Sequence, residues 1–198
     1  MAVQHRRHRD DGVHHLGVKP LRLAAQAGAV ALVVGLLGLL VWKVAHDNPG
    51  GVAADFNAGK KVQAVDFTLG RLNGKGSLSL SSLRGRVVVL NFWAAWCDPC
   101  KSEAPRFQSA FERYRRHGVA FVGLDVTDYS GDARAFLARY GITYPNVRDQ
   151  RGSVLAKYGG LPIPRTYVVA RSGRVVSYIF GEARPEAIDS AIKKALTA

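Results

Sequence analysis

The chain of 198 residues has only two cysteines and six histidines, the side chains that usually bind structural zinc. Its only cysteines are Cys97 and Cys100. Five of the six histidines lie in or beside the N-terminal tail, at positions 5, 8, 14, 15 and 46, and only His117 lies farther along the chain. A structural zinc site needs four ligands, usually two cysteine pairs or one pair with spaced histidines. The sequence therefore predicts no metal site, and the two cysteines are left with dithiol or disulfide chemistry.

Acidic residues are also scarce, since 15 of them face 28 lysines and arginines and the formal net charge is +13. Residues 44–198 carry +9 of this charge, because 22 of the basic and 13 of the acidic residues lie there. A basic domain can bind nucleic acid, but the basic residues are spread through every predicted element and their only tight cluster is Arg113, Arg115 and Arg116. With no nucleic-acid-binding motif present, we expect attraction to anionic lipid head groups or to an acidic partner surface, and no nucleic-acid partner.

Polar residues are absent from Ala27 to Trp42, and extending this segment back to Leu23 adds only Gln26. Its length is close to the roughly 20 apolar residues that span a bilayer. A cleaved signal peptide has a shorter apolar core and a small-residue cleavage site close behind it. The nearest such site, Val52-Ala53-Ala54, lies well beyond the segment. The segment therefore predicts one uncleaved transmembrane helix, with a cleaved signal peptide as the alternative.

The charges on the two sides of the apolar segment predict its orientation. Only Lys43 follows it closely before Asp47, whereas five basic residues precede it: Arg6, Arg7, Arg9, Lys19 and Arg22. By the positive-inside rule, the N-terminus lies in the cytoplasm and the rest of the chain outside. We divide the chain into a basic cytoplasmic tail (1–22), a transmembrane anchor (23–43), a Gly/Ala/Asn-rich tether (44–61) and one globular domain (62–198), which is long enough to bury a core.

The globular part alternates predicted strands and helices. Val65–Leu69 and Gly76–Leu80 flank Asn73-Gly74, which predicts an added N-terminal β-hairpin. Further elements are expected as strands at Arg86–Phe92, Val119–Asp125, Thr166–Ala170 and Val175–Phe180. Helices are expected at Asp98 to about His117, at Asp132–Tyr140 with a start near Ser130, and at Arg184–Ala195. This pattern predicts an α/β fold in which helices flank a mixed central sheet.

The cysteines stand where a predicted strand passes into a helix. The apolar run at residues 87–90 is typical of a strand covered on both faces. Pro99 falls in the first helical turn, where its missing N–H removes no helix bond. Unpaired N–H groups and the helix dipole at that point stabilise a thiolate on Cys97 and make it a nucleophile near neutral pH. The pattern favours a redox dithiol, and a static disulfide is the alternative.

Residues 87–105 resemble the active-site strand and helix of the thioredoxin superfamily, in particular the membrane-anchored TlpA/ResA-type thioredoxins that work outside the cytoplasm. The shared features are Trp96 before the cysteine pair, Pro105 five residues after Cys100, and Pro164 before a predicted strand. The resemblance covers nearly all of the chain after about residue 62 and implies a thioredoxin-like fold. It also implies that Pro105 kinks the active-site helix and that the peptide bond before Pro164 is cis and faces the cysteines.

Three positions depart from the family pattern. Pro162 and Arg165 stand where many relatives have Gly and Thr, in the loop opposite the cysteines, and Asn91 stands where cytoplasmic thioredoxins carry a buried Asp. Because an amide cannot accept a proton, a general base must come from elsewhere. Glu103 is the candidate, since it lies three residues after Cys100 on the same helical face and matches the acidic residue of extracytoplasmic reductases of this type. The alternative for Glu103 is a solvated helix residue.

The expected chemistry is stepwise thiol–disulfide exchange, with the Cys97–Cys100 disulfide as the only redox group and no bound cofactor. Cys97 attacks a client disulfide, and Cys100 resolves the mixed disulfide. We expect Trp96 to shield the first sulfur and line the docking surface, with ordinary packing as the alternative. The loop at Ile163-Pro164 is expected to pair with the client backbone.

The carboxylate of Asp98 beside the first sulfur is expected to oppose the thiolate and make the couple more reducing. The resemblance implies the same direction. Reductants of this type keep the paired thiols of apocytochrome c free for haem attachment and are recharged by a membrane thiol-transfer protein. The alternatives are a general extracytoplasmic disulfide oxidase or isomerase and a non-catalytic anchored adaptor with a static disulfide.

Overall fold

A computed structural model describes residues 19–46 and 51–198, which fall into two separate units, the first before residue 49 and the second after it. In the first unit, helix α1 (Lys19–His46) contains the 18-residue window Gln26–Lys43, which is long and apolar enough to cross a membrane. The side chains of this window are exposed. Most of the predicted basic tail, residues 1–18, and Asp47 lie outside the described residues, and so do most of the charges that predict the orientation.

The second unit is built on a five-stranded sheet. Its strands are β3 (Val87–Trp93), β4 (Val119–Val126), β5 (Asn146–Asp149), β6 (Arg165–Val169) and β7 (Val175–Phe180). In space they follow the order β5-β4-β3-β6-β7. Strands β3, β4 and β5 run parallel, whereas β6 is antiparallel to both β3 and β7. The predicted mixed sheet is confirmed.

Strand β3 lies at the centre of this sheet, and all seven of its residues are buried, as its apolar run predicts. The side chain of Asn91 is directed toward helix α3 (Asp98–Tyr114), which packs beside α6 (Pro185–Leu196). On the opposite face, Phe92 contacts the rings of Tyr158 and Tyr167, with centroids 5.2 and 5.9 Å away. Because β3 is covered on both faces, the residues that follow it emerge from a rigid support.

The predicted N-terminal hairpin is present, with shorter strands than expected. Strands β1 (Thr68–Gly70) and β2 (Ser77–Ser79) pair antiparallel. The second strand ends early because Leu80–Leu83 form a 3₁₀ turn, in which the Ser79 side chain accepts a hydrogen bond from the backbone N–H of Ser82.

Part of the predicted tether is folded. Gly51–Asn57 form helix α2, in which Val52 and Ala53 are buried. The expectation of a tether through residue 61 is therefore wrong for residues 51–57, which belong to the second unit and pack against strand β7. The small-residue composition predicts a flexible linker, but two apolar side chains are enough to dock a short helix on an existing core.

The other boundaries shift by a few residues, and two short elements are new. Helix α3 ends at Tyr114 rather than near His117, whereas α4 (Ser130–Arg139) begins at Ser130 as expected and ends one residue before Tyr140. Strand β5 and helix α5 (Ser153–Lys157) are absent from the sequence prediction. A four-residue strand with one apolar side chain and a five-residue helix are both too short to show a period.

Candidate active site

The two cysteines form a disulfide at the start of α3, with their Cα atoms 5.3 Å apart. Cys97 is the N-cap residue, and its Sγ accepts a 3.3 Å hydrogen bond from the backbone N–H of Cys100. Pro99 lies in the first turn, and Pro105 lies inside the helix. Cys97 is 4 % exposed and Cys100 is 1 % exposed. A thiolate released at Cys97 would therefore sit where the helix dipole and an N–H donor both stabilise it.

Two side chains next to Cys97 point into solvent. Trp96 is 52 % exposed, so it forms surface rather than core. Asp98 is exposed, and its carboxylate forms a 2.6 Å ion pair with Lys101 one turn later. This contact lowers the pKa of Asp98. The carboxylate is solvated and paired, so it opposes a thiolate on Cys97 less than the sequence predicts.

Glu103 is buried, with 1 % of its surface exposed, which excludes a solvated helix residue. Its Oε1 accepts a 2.8 Å hydrogen bond from Asn91 Nδ2, and its Oε2 accepts one of 2.8 Å from the backbone N–H of Ala183. Burial raises the pKa of Glu103 to about 7, although both hydrogen bonds act to lower it. The carboxyl group can therefore gain or lose a proton near neutral pH, one helical turn from Cys100.

Asn91 connects Glu103 to the sheet. The second hydrogen bond of Asn91 Nδ2 goes to Thr166 Oγ1 at 3.2 Å, on the neighbouring strand β6. Asn91 therefore does more than occupy the position of an acid, because its amide positions the carboxylate of another residue.

The loop before β6 lies at the same sheet edge as the cysteines, because Arg165 pairs with Phe92 near the carboxyl end of β3. The Ile163–Pro164 peptide bond is cis, as the resemblance implies, and so is Leu161–Pro162. Ile163 is only 9 % exposed, whereas Leu161 is 60 % exposed. The predicted contact residue Ile163 is thus mostly covered, and Leu161 presents the apolar surface of this loop.

Sequence reasoning missed a group of acids beyond the end of β3. Asp128 Oδ2 accepts a 2.6 Å hydrogen bond from the backbone N–H of Ala95, two residues before Cys97. Asp125 is fully buried, with Arg148 Nε 3.8 Å away. Burial and the charge of Asp128 raise the pKa of Asp125 to about 7. The available signal was an acid at the end of the apolar run of β4, at the edge where the carboxyl ends of parallel strands meet.

The described residues bring together no group of three His, Cys, Asp or Glu side chains that could hold a metal ion. A buried carboxyl group with a pKa near 7, one turn from a disulfide at a helix N-terminus, can exchange protons with a thiol while electrons pass through the sulfurs.

Comparisons with known proteins also indicate thiol–disulfide chemistry. The model of the AhpC/TSA family matches residues 60–178. The thiol-disulfide oxidoreductase ResA of Geobacillus thermodenitrificans (strain NG80-2) is 31% identical over 170 residues, which cover 86% of this chain and 94% of that protein.

Two solved structures share the fold. A thioredoxin-family thiol:disulfide interchange protein from Chlorobium tepidum TLS has a TM-score of 0.63 at 28% identity, and the match covers 69% of this chain and 97% of that one. A secreted thiol-disulfide isomerase from Corynebacterium glutamicum has a TM-score of 0.65 at 27% identity, over 71% and 89% of the two chains. Together with the disulfide at the start of α3, these likenesses show that the chain belongs to the AhpC/TSA family and is a thioredoxin-like thiol-disulfide oxidoreductase similar to ResA.

Proposed function

We propose that the protein is a membrane-anchored, extracytoplasmic reductant of protein disulfides, and that the paired cysteines of apocytochrome c are among its clients. The observation that carries the proposal is the buried Glu103 one turn beyond the Cys97–Cys100 disulfide. The resemblance to ResA supports it.

In the proposed reaction, the reduced protein begins as a Cys97 thiolate. This thiolate attacks one sulfur of the client disulfide, which forms a mixed disulfide and releases the other client sulfur as a thiolate. Cys100 then loses its proton to Glu103 and attacks Cys97 Sγ. The Cys97–Cys100 disulfide forms and the second client sulfur leaves, so that two electrons have passed to the client.

Glu103 suits the second step because the pKa of its carboxyl group lies close to neutral pH. With a pKa of about 7, a substantial fraction of the carboxyl group is ionised at neutral pH and can accept the proton. The bonds from Asn91 and Ala183 hold both carboxylate oxygens in place, so the base needs little reorganisation. The role of Glu103 as the base is part of this proposal.

The reducing direction also draws support from Glu103 rather than from Asp98. An ionised carboxylate near the dithiol disfavours a thiolate, and a less stable thiolate makes the couple more reducing. Asp98 is solvated and paired with Lys101. Glu103 is buried, where screening by water and salt is weaker.

The anchor is supported by helix α1 and by one relative. The match to ResA of Geobacillus thermodenitrificans covers 170 of the 198 residues of this chain. Wherever that match begins, it includes residues 29–170, so the likeness extends into the apolar segment. A relative from Corynebacterium glutamicum is described as secreted. We propose that the N-terminus is cytoplasmic, that the basic domain is attracted to anionic lipid, and that a membrane thiol-transfer protein supplies the electrons.

The reduction potential of the Cys97–Cys100 pair tests this function. We expect equilibration with dithiol buffers to give a value near that of thioredoxin, about −270 mV, and not the roughly −120 mV of a strong oxidant. A potential near the second value would favour the oxidase. The Asp98→Asn variant is the matched control. We expect it to change the reduction potential less than Glu103→Gln does.

Client trapping completes the test. The Cys100→Ser protein should collect mixed disulfides with clients, among them apocytochrome c, because no second thiol is present to resolve the disulfide at Cys97. The same experiment with Cys97→Ser should collect none. A Cys100→Ser protein that traps no extracytoplasmic thiol protein would contradict the proposed clients.

A further inference from the structure

A cavity of about 570 Å³ lies beside the loop that carries the cis bonds. Its walls come from helix α2 and from the ends of β6 and β7, with Ala53, Ala54, Asn57, Arg165, Tyr178 and Phe180 among the lining residues. Arg165 pairs with Phe92, so the cavity and Cys97 both lie toward the carboxyl end of β3. No residue that lines this cavity takes part in the proposed thiol–disulfide exchange.

The guanidinium of Arg165 is the charged group of this cavity, and the residue is only 6 % exposed. Its Nε donates to the carbonyl of Pro162 at 2.8 Å, and its Nη2 donates to the carbonyl of Leu161 at 3.1 Å. Its Nη1 donates to the Tyr178 hydroxyl at 2.7 Å. The guanidinium also lies 5.1 Å from the centre of the Phe180 ring. Arg165 therefore holds the loop while its planar group borders the cavity.

None of these partners carries a negative charge. Arg165 forms no ion pair with any residue in the described part of the chain, whereas Arg106 and Arg113 pair with Glu182 and Asp189. A buried cation without a counter-ion is costly, and hydrogen bonds to neutral oxygens or an aromatic face offset only part of that cost. An anionic ligand would supply the missing counter-charge.

The backbone keeps room around this cation. Gly159 has a φ of +116°, and a Cβ there would lie 2.9 Å from Arg165 Nη1 and 2.7 Å from the Cβ of Ala53. A larger residue at position 159 would have to displace the guanidinium or helix α2. The cavity therefore depends on a glycine in a conformation that other residues rarely adopt.

We propose that this cavity binds a carboxylate of the client polypeptide through Arg165, so that the protein prefers client disulfides with an acidic residue near the attacked cysteine. This inference rests on the proposed function and on the expectation that the loop at Ile163-Pro164 pairs with the client backbone, which would bring the flanking client residues past the cavity. A guanidinium fork matches a planar carboxylate better than an ammonium group does. The basic domain would attract an acidic segment in the same way.

The test compares pairs of disulfide-containing peptides that differ by Glu or Gln at one position. The position is moved residue by residue along both sides of the cysteine, and kcat/KM is measured for reduction by the reduced full-length protein in detergent. We expect Glu to be preferred about tenfold at one or two positions, the size of effect typical of a hydrogen bond to a charged group.

Four variants assign the preference to the cavity. Arg165→Gln should abolish it, and Arg165→Lys should retain part of it because the charge remains. Ala54→Trp should also abolish it, by filling the cavity from an exposed position on α2 without changing the guanidinium. Arg116→Gln removes an equal charge from an exposed arginine after the end of α3 and should keep the full preference. If Arg165→Gln does not fold, Ala54→Trp carries the test.

The outcomes separate this inference from the proposed function. If both peptides of every pair are reduced equally by the wild-type protein, the carboxylate site is wrong and the reductase remains. If a preference persists in both Arg165→Gln and Ala54→Trp, the site is also wrong. If neither peptide of any pair is reduced, the proposed function fails, and the site proposed for its clients fails with it.

Discussion

The side-chain amide of Asn91 donates a 2.8 Å hydrogen bond to the Glu103 carboxylate, from a strand twelve residues earlier in the chain. The same nitrogen also bonds to Thr166 of the neighbouring strand. The amide cannot accept a proton, but it fixes the position of a carboxyl group that can. If Glu103 is the base, as we propose, the amide at this place serves proton transfer through its neighbour on α3.

Replacing Glu103 by Gln keeps its size and removes its ionisable group. We expect resolution of the mixed disulfide to slow by about tenfold near neutral pH, which is less than the usual 10²-fold for a general base because a thiol needs less help than an alcohol. The difference should fade at alkaline pH, where Cys100 ionises unaided. Rapid-quench kinetics from pH 6 to 9 would measure it.

The control for this variant is Glu112→Gln, which changes an exposed acid on the same helix. Its resolution rate should match wild type at every pH. If Glu103→Gln also matched wild type near neutral pH, Glu103 would not be the base and the proton would leave through water.

Removing the Asn91 amide should shift the pH dependence of the reaction. In Asn91→Ala, the carboxylate loses a bond that lowers its pKa, so the pKa of Glu103 should rise above about 7. The pH midpoint of resolution should move upward by about one unit. Thr166→Val, which leaves the bond between Asn91 and Glu103 in place, should move it much less. An unchanged midpoint in Asn91→Ala would show that this bond does not set the pKa.

Stability should fall as the pH rises from about 4.5 to about 7. The pKa of Glu103 is raised from 4.5 to about 7 by burial, so the folded protein binds more protons than the unfolded chain in this window. The raised pKa of Asp125 acts in the same direction. Between pH 4.5 and 7.5, the free energy of unfolding should therefore fall by about 1–3 kcal/mol less in Glu103→Gln than in wild type.

Urea unfolding of the oxidised protein at these two pH values measures the loss. Asp125→Asn should reduce it separately, and Glu112→Gln should leave it as in wild type. A loss of stability that is identical in wild type and Glu103→Gln would contradict the raised pKa.

The cysteines should react in a fixed order. Cys97 caps the helix and Cys100 lies inside the first turn, so an alkylating reagent should label Cys97 first in the reduced protein. Mass spectrometry after brief treatment with iodoacetamide would show the order. Preferential labelling of Cys100 would reverse the roles proposed for the two sulfurs.

The anchor should remain attached, and the catalytic domain should lie outside the cytoplasm. A reporter enzyme that is active only outside the cytoplasm, fused after Ala198, should be active. N-terminal sequencing should find no cleavage after Val52-Ala53-Ala54, because cleavage there would remove the buried first turn of α2. A mature protein that begins near Asp55 would contradict the anchor and leave the redox chemistry untouched.

The central features could be predicted from the sequence because they are local. Strand β3 shows a continuous apolar run, and the spacing of Cys97, Pro99 and Cys100 places all three at one helix start. Helix α1 is read in the same way, from one unbroken apolar segment. The cis bond before Pro164 followed from the family resemblance.

Only the tertiary structure decided the surroundings of these residues. Ala183, which bonds Glu103, lies 80 residues farther along the chain, and Asp128, which holds Ala95, lies 33 residues away. The cavity at Arg165 depends on helix α2, a segment whose composition predicts a linker. Residue spacing determines which side chains share a helical face, because that geometry repeats every few residues. Burial, and with it the raised pKa of Glu103, depends on which distant segments pack over that face, and no short window of sequence contains this information.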